Sequence, residues 1–113
     1  MTATPKQIVA SQDLANAAAS LYTSPATGKG TWIDKATAVN HSGAARTMTF
    51  NIVPNAGAAG TSNLIVDAKS VADKATDLLP ELVGQFLQAG MSLYGNADTA
   101  GGVAITIIGR ELT

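Results

Sequence analysis

Residues 24–31 share Gly28-Lys29 with a phosphate-binding loop, in which a glycine-rich backbone cradles phosphates and a hydroxyl ligates magnesium. That loop needs glycine at position 23 and serine or threonine at position 30. This chain has Thr23 and Gly30 at those positions. Because the cradle and the magnesium ligand are both misplaced, we interpret the segment as a turn between strands.

The only histidine, His41, lies in a turn-like stretch with Asn40, Ser42 and Gly43. One histidine cannot form a histidine-rich metal site, and a general base needs a positioned partner that the sequence does not indicate. We interpret His41 as an exposed or capping turn residue and leave open a role in sensing pH.

The acidic residues do not form a catalytic or metal-binding pattern. Their spacing fits neither a calcium loop nor a paired-carboxylate site. Asp98 has two interpretations, a weak cation ligand or a solvated turn residue. We therefore predict no catalytic residue, no cofactor and no metal site. The residues considered are Asp67, Asp73, Asp77, Glu81, Asp98 and Glu111.

The aromatic residues are too few for a platform that stacks on nucleic acid or sugar. We expect most of them in the core. Trp32 is the one best suited to reach an interface, because tryptophan is favoured at binding hot spots. The set is Tyr22, Trp32, Phe50, Phe86 and Tyr94.

The composition describes one domain with little charge. The chain has 113 residues, no cysteine, a net charge of −1 and only 13% charged residues. This length can bury a core without disulfides or metals, and the charge excludes the broad basic field of nucleic-acid binders. The surface must be rich in small polar residues, which cost little to desolvate and suit permanent packing against neighbours.

The start of the chain predicts an arm and no targeting signal. Residues 1–5 are polar with little to bury, so we expect a flexible N-terminal arm followed by a single domain over residues 6–113. The apolar stretch 7–10 is too short for a signal peptide. No apolar run approaches the roughly 18 residues of a membrane helix.

Alternating and β-rich segments predict strands joined by turns. Residues 47–54 alternate cleanly and, with residues 30–40, predict a hairpin around the turn at 40–43. Residues 87–112 predict two apolar strands joined by a glycine-rich turn, and residues 17–22 fit helix or strand, with strand favoured. The remaining predicted strands are 7–12 and 63–67.

Residues 76–89 have leucines at helical spacing, but Pro80 and Gly84 oppose a full helix. We expect a helical turn at 80–83 and extended chain after it. The whole pattern predicts an all-β fold, an antiparallel sandwich of jelly-roll type with about seven to eight strands. The predicted core is Ile33, Val39, Met48, Phe50, Ile52, Leu64, Val66, Leu93, Val103, Ile105 and Ile107.

Several short motifs resemble those of small β-sandwich structural proteins of tailed bacteriophages. They are a Leu-Tyr-Thr-x-Pro entry at 21–25, an x-Ala-Gly turn at 88–90 and a Gly-x-Glu at 109–111. Met91 departs from the pattern, because an acidic residue usually follows that glycine, although the turn depends mainly on Gly90. Residues 20–112 carry the resemblance, which includes the stretches 31–33, 39–40, 47–50 and 87–93.

The resemblance implies a non-enzymatic virion protein. With the low charge and the absent catalytic set, we expect a capsid cement or decoration protein that bridges and stabilises major capsid subunits. A neck, tail or baseplate accessory protein is one alternative. A carbohydrate-binding sandwich that exposes Trp32 and Tyr94 together is an alternative of a different class.

The expected partners are the major capsid protein or other virion proteins and further copies of the chain, as a dimer or trimer, with no nucleic acid and no membrane. The expected location is the capsid surface, neck or tail of the virion, after synthesis in the host cytoplasm. We expect the interface at Pro5, Lys6, Pro25, Lys29, Trp32, Asn55 and Thr61.

Overall fold

The computed structural model describes residues 2–113, which form two antiparallel sheets and one short turn of 3-10 helix at Thr61–Asn63. None of these residues belongs to a helix with the length and apolar character needed to cross a membrane. The strands are β1 (Ala3–Asp13), β2 (Ala19–Thr23), β3 (Gly30–Asn40), β4 (Arg46–Val53), β5 (Leu64–Val71), β6 (Thr76–Asp77), β7 (Phe86–Leu87), β8 (Ser92–Ala97) and β9 (Val103–Leu112).

The strand order is that of a jelly roll. Sheet A runs β1-β9-β3-β6, with β7 also paired to β3, and sheet B runs β2-β8-β4-β5. Successive strands change sheet except at β4–β5, which pair, and at β6 and β7, which share one edge of β3. Since β6 and β7 occupy one strand position, the nine strands fill eight positions. The predicted all-β jelly-roll sandwich is confirmed.

The core lies between the sheets and is built from alternate, inward-facing side chains. On β4, Met48 and Phe50 are fully buried, and on β9 the same holds for Ile105 and Ile107. Every residue of the predicted core is buried except two, Val39 and Leu64.

The two exceptions follow from strand register. With uninterrupted alternation on β3, Ile33 and Val39 would share a face. A β-bulge after Ile33 shifts the pairing with β9, so Ala38 is buried and Val39 is 36% exposed. Leu64 pairs with Asn51 on the outer side of β4 and is only partly buried.

The predicted hairpin of residues 30–40 and 47–54 is wrong. Both strands form, but β3 lies in sheet A and β4 in sheet B. The Asn40 side chain holds the connecting turn, donating to the Ala44 and Val71 carbonyls at 2.7 and 3.0 Å and accepting from Ser42 N at 3.0 Å. Alternation is the same whether a strand pairs with its neighbour or faces it across the core, so it could not separate the two arrangements. β8 and β9 also lie in different sheets.

Part of the N-terminal arm predicted for residues 1–5 is replaced by strand. Residues 3–5 begin β1 and pair with residues 110–112 of β9, while Met1 lies outside the described residues. Thr113 N also donates to Thr2 O at 2.9 Å. Backbone pairing orders this segment although its side chains are exposed, and side-chain burial was the only criterion that the sequence offered.

Residues 78–85, called the strap below, join β6 to β7 along the edge of sheet A. The strap contains turns: Asp77 Oδ1 accepts from Leu79 N at 2.7 Å, and Leu82 N donates to Leu79 O at 2.9 Å. The second bond is a single i→i+3 turn at the place where a helical turn was predicted. Leu79 and Leu82 are fully buried. They pack in the core at the interruption between β6 and β7, which share one strand position.

Candidate interaction surface

Four residues form a row across the outer face of sheet A. Pro5 on β1 pairs with Arg110 on β9, Arg110 pairs with Trp32 on β3, and Trp32 pairs with Phe86 on β7. Directly paired residues point to the same face of a sheet. The row therefore places a tryptophan and an arginine side by side, two of the three residue types that are enriched at binding hot spots.

Trp32 and Phe86 pack against each other. Their ring centroids are 4.7 Å apart at an interplanar angle of 52°, and Trp32 remains 37% exposed. Gly30 makes room for this pair, since its φ is +128° and a Cβ there would clash with the Phe86 ring. The tryptophan is thus held in place while part of its ring faces solvent.

Arg110 is fixed by a two-point contact with Asp34. Its Nε lies 2.9 Å from Oδ2, and its Nη2 lies 2.9 Å from Oδ1. The hydrogen bonds to Asp34, and then the charge of Asp34, raise the pKa of Arg110. A planar, two-point pair of this kind orients the guanidinium beside Trp32.

The exposed large apolar residues all belong to one side of the molecule. Trp32, Val39 and Ile108 lie on the outer face of sheet A, and Leu78 and Val83 lie in the strap at the edge of that sheet. Val39 pairs with Ala104, and Ile108 pairs with Lys35 and Gln7, so small and polar residues separate the apolar ones. We call the outward side chains of β1, β9 and β3 the A face.

The outer face of sheet B has a different character. Its partly exposed outward residues on β8 and β4 are uncharged and polar: Ser92, Tyr94, Asn96, Thr47 and Thr49. Exposed large apolar side chains are therefore a property of the A face and the strap, within residues 2–113.

A polar cluster closes the gap between the sheets beside β1 and β2. The Tyr22 hydroxyl donates to Glu111 and lies 2.9 Å from Thr31 Oγ1, which is 2.8 Å from Ser24 Oγ. Lys6 Nζ lies 3.4 Å from Glu111. Burial, followed by the hydrogen bond to Glu111 and the charge of Glu111, raises the pKa of Tyr22 to about 12. Ser24 and Thr31 are inaccessible, so the cluster joins the sheets and offers no exposed nucleophile.

Three loops meet at one end of the sandwich, called the loop end below. They are residues 24–29, 54–63 and 88–91. Gly90 N donates to Ser24 O at 3.0 Å, Ser24 N donates to Met91 O at 2.8 Å, and the Asn55 side chain packs against Gly90. Lys29 is the one charged residue in these loops.

The structure places the predicted interface residues in the half of the molecule that contains the loop end, but it distributes them over different surfaces. Pro5 and Trp32 share the row on the A face. Lys6 points toward Glu111 at the edge. The others lie in the loops at the loop end, where all are exposed: Pro25, Lys29, Asn55 and Thr61.

The remaining polar residues do not assemble a catalytic or metal site in the part of the chain that the structure describes. His41 Nε2 lies 2.8 Å from Asp13 Oδ1 at the opposite end, where both side chains are about half exposed. Across residues 2–113 there is no group of three possible metal ligands and no pocket.

Trp32 and Tyr94 lie on opposite outer faces of the sandwich. Trp32 is on the A face, whereas Tyr94 on β8 pairs with Asn51 and Ser20 on the outside of sheet B. A sugar platform built from these two rings would require them on one surface.

The residues missed by sequence reasoning are Arg110, Asp34, Phe86, Ile108 and Val83. Alternation on 103–110 places Ile108 and Arg110 opposite the buried Ile105 and Ile107, and this was the available signal. No sequence pattern indicated the pairing of β7 with β3. No family model, curated protein or solved structure matches this chain, so the fold is assigned from strand order alone.

Proposed function

We propose that this chain is a non-enzymatic virion protein of a tailed bacteriophage, a capsid cement or decoration protein that bridges major capsid subunits. The observation that carries the proposal is the loop end. Three loops with a single charged residue converge there on a sandwich measuring 44 × 26 × 19 Å. Small uncharged side chains lose little hydration when another protein covers them.

Many copies bound to one lattice make such a surface sufficient for stable attachment to a capsid. Each loop end offers small residues without a deep pocket, so a single contact is weak. On a lattice, attachment at one point raises the effective concentration at the next, and modest contacts combine into tight binding. In this proposal the protein lies at the capsid surface of the virion and acts there as a homo-oligomer.

The test mixes purified protein with capsids that lack it and locates the added density by electron microscopy. The expected result is stoichiometric density at local symmetry axes, with the loop end toward the shell. Density on necks or tails alone would favour an accessory role there. Absence of binding to expanded shells would overturn the cement role.

Paired variants test the loop end itself. Ala58→Glu adds a charge to an exposed position of loop 54–63. Ala17→Glu makes the same change at an exposed position between β1 and β2, at the opposite end. We expect Ala58→Glu to weaken capsid binding at least about tenfold, as burial of an unpaired charge requires, and Ala17→Glu to leave it unchanged. Equal effects from both variants would remove the loop end from the interface.

A further inference from the structure

We propose that the A face binds a second copy of this chain, face to face, around a two-fold axis that runs across the strands. This deepens the homo-oligomeric part of the proposed function, although it concerns a different surface from the loop end. We call each set of directly paired residues across the strands a level. The axis lies between the level that contains Ile108 and the level that contains Thr106 on β9. Trp32 of each copy then packs over Val39 of the other.

The pattern of the A face supports this arrangement. Along the strands, its levels are marked in turn by Arg110 with Trp32, Ile108 with Lys35, Thr106 with Thr37, and Ala104 with Val39. A two-fold axis across the strands superposes the first level on the last and the two middle levels on each other. Arg110 therefore meets the small Ala104, Trp32 meets Val39, and Ile108 meets Thr106. Large residues opposite small ones allow two sheets to interdigitate.

The size of the A face is close to that of a specific interface. Its three strands of about ten residues, at ~3.3 Å per residue and ~4.8 Å apart, give a flat area of about 480 Å² per copy. The two copies together would cover about 950 Å², near the ~1,000 Å² expected of a specific interface, and Leu78 and Val83 in the adjoining strap add further exposed apolar surface. The exposed large apolar residues are on this side of the molecule, whereas the partly exposed outward residues of β8 and β4 in sheet B are uncharged and polar.

Charge selects the direction of the axis. A two-fold axis parallel to the strands would set Arg110 against Arg110 of the second copy, and like charges in contact are repulsive. The axis across the strands instead sets Arg110, which is paired with Asp34, against Ala104 at the far end of the A face, beside Asp13, which lies next to His41. No arginine then faces an arginine, and Arg110 keeps its carboxylate partner within its own copy.

The first test measures molar mass by light scattering and sedimentation equilibrium over a range of concentrations. The chain has a mass of 11.4 kDa, and we expect twice that value for the native protein. Val39→Glu and Ile108→Glu each place a charge on the exposed A face and should raise the dimer dissociation constant at least about tenfold. Ser20→Glu, exposed on the outside of sheet B, is the matched control and should leave the mass unchanged. Circular dichroism checks that each variant keeps its strands.

The second test reads the orientation with a short thiol-reactive crosslinker, which is possible because the chain has no cysteine. The proposed axis brings Lys35 opposite Thr37 of the second copy, whereas the parallel axis brings Lys35 opposite Gln7. A mixture of Lys35→Cys and Thr37→Cys proteins should crosslink, and a mixture of Lys35→Cys and Gln7→Cys proteins should not. The reverse result would overturn the orientation.

The outcomes separate this inference from the capsid role. A native mass of 11.4 kDa at all concentrations, or dissociation by Ser20→Glu alone, would overturn the dimer. Capsid binding by the monomeric Val39→Glu variant would still support the cement role. A stable dimer that fails to bind shells would sink the cement role and leave the A-face interface standing.

Discussion

Tyr22 on β2 and Glu111 on β9 are hydrogen-bonded across the two sheets, and Lys6 on β1 pairs with the same carboxylate. Three strands from both layers therefore meet at one carboxylate. Beside β1 and β2, hydrogen bonds therefore join the two sheets in addition to the apolar core.

Tyr22→Phe should lower the free energy of unfolding by about 1–3 kcal/mol, because it removes the hydrogen bond to the partly buried Glu111 carboxylate and one of the two partners of the buried Thr31 hydroxyl. Urea unfolding measures the change. Tyr94→Phe on the outside of sheet B is the control and should stay within about 0.5 kcal/mol. A loss of equal size in both variants would show that the hydroxyl bonds at Tyr22 contribute nothing special.

The same hydroxyl makes stability depend on alkaline pH. Burial and then Glu111 raise the pKa of Tyr22 from 10.0 to about 12, so above pH 10 the unfolded chain releases this proton first. The folded protein then binds more protons than the unfolded chain, and the Tyr22 contribution to stability falls as pH rises from 10 toward 12. The difference in unfolding free energy between native protein and Tyr22→Phe should shrink over that interval. A constant difference would contradict the raised pKa.

Two adjacent leucines in the strap provide a matched pair. Leu79 is fully buried, whereas Leu78 is 58% exposed. Leu79→Ala should cost about 2–5 kcal/mol, because it removes core contacts and leaves a cavity. Leu78→Ala should change stability by less than about 0.5 kcal/mol. Thermal and urea unfolding of both variants test whether the strap is part of the core, and equal losses would argue against it.

Gly109 is required by the close approach of β9 to β3. A Cβ at Gly109 would clash with the backbone carbonyl of Trp32, which cannot move without disturbing the sheet. Gly109→Ala should destabilise the fold by about 1–3 kcal/mol, the usual cost of overpacking. Gly60→Ala is the control, since a Cβ there meets open space. A stable Gly109→Ala protein with unchanged circular dichroism would contradict the close approach.

Lys69 on β5 ties the edge of sheet A to sheet B, since its Nζ lies 3.3 Å from Asp77 at the end of β6 and 3.1 Å from Glu81 in the strap. Burial lowers the pKa of Lys69, but the hydrogen bonds and charges of Glu81 and Asp77 outweigh burial and raise it. Lys69→Met should cost at most about 1 kcal/mol globally while speeding amide hydrogen exchange in residues 78–85. Lys74→Met, in the exposed turn before β6, should not alter that exchange. Unchanged exchange in Lys69→Met would show that the ion pairs do not hold the strap.

The fold class could be predicted because alternation and turn residues are local signals, as in residues 47–53. The partners of each strand could not be predicted, because a jelly roll pairs residues that are far apart in sequence, such as Pro5 and Arg110. Val39 was misplaced by a single bulge, which reverses every side chain after it. Leu79 and Leu82 are buried through isolated turns, so helical spacing was the wrong guide to their role. The row on the A face depends on strand pairing, and for that reason only Pro5 and Trp32 were identified beforehand.

The place of β9 has a consequence for the order of folding. It is an interior strand of sheet A, and it pairs with β1, which lies at the other end of the sequence. Until β9 docks, β1 and β3 have no common neighbour, whereas β4 and β5 of sheet B are consecutive strands that can pair through the loop 54–63. Such non-local closure is slow, on the order of milliseconds to seconds. We expect sheet B to gain protection first in pulsed hydrogen exchange during refolding, and β1 to gain it together with β9.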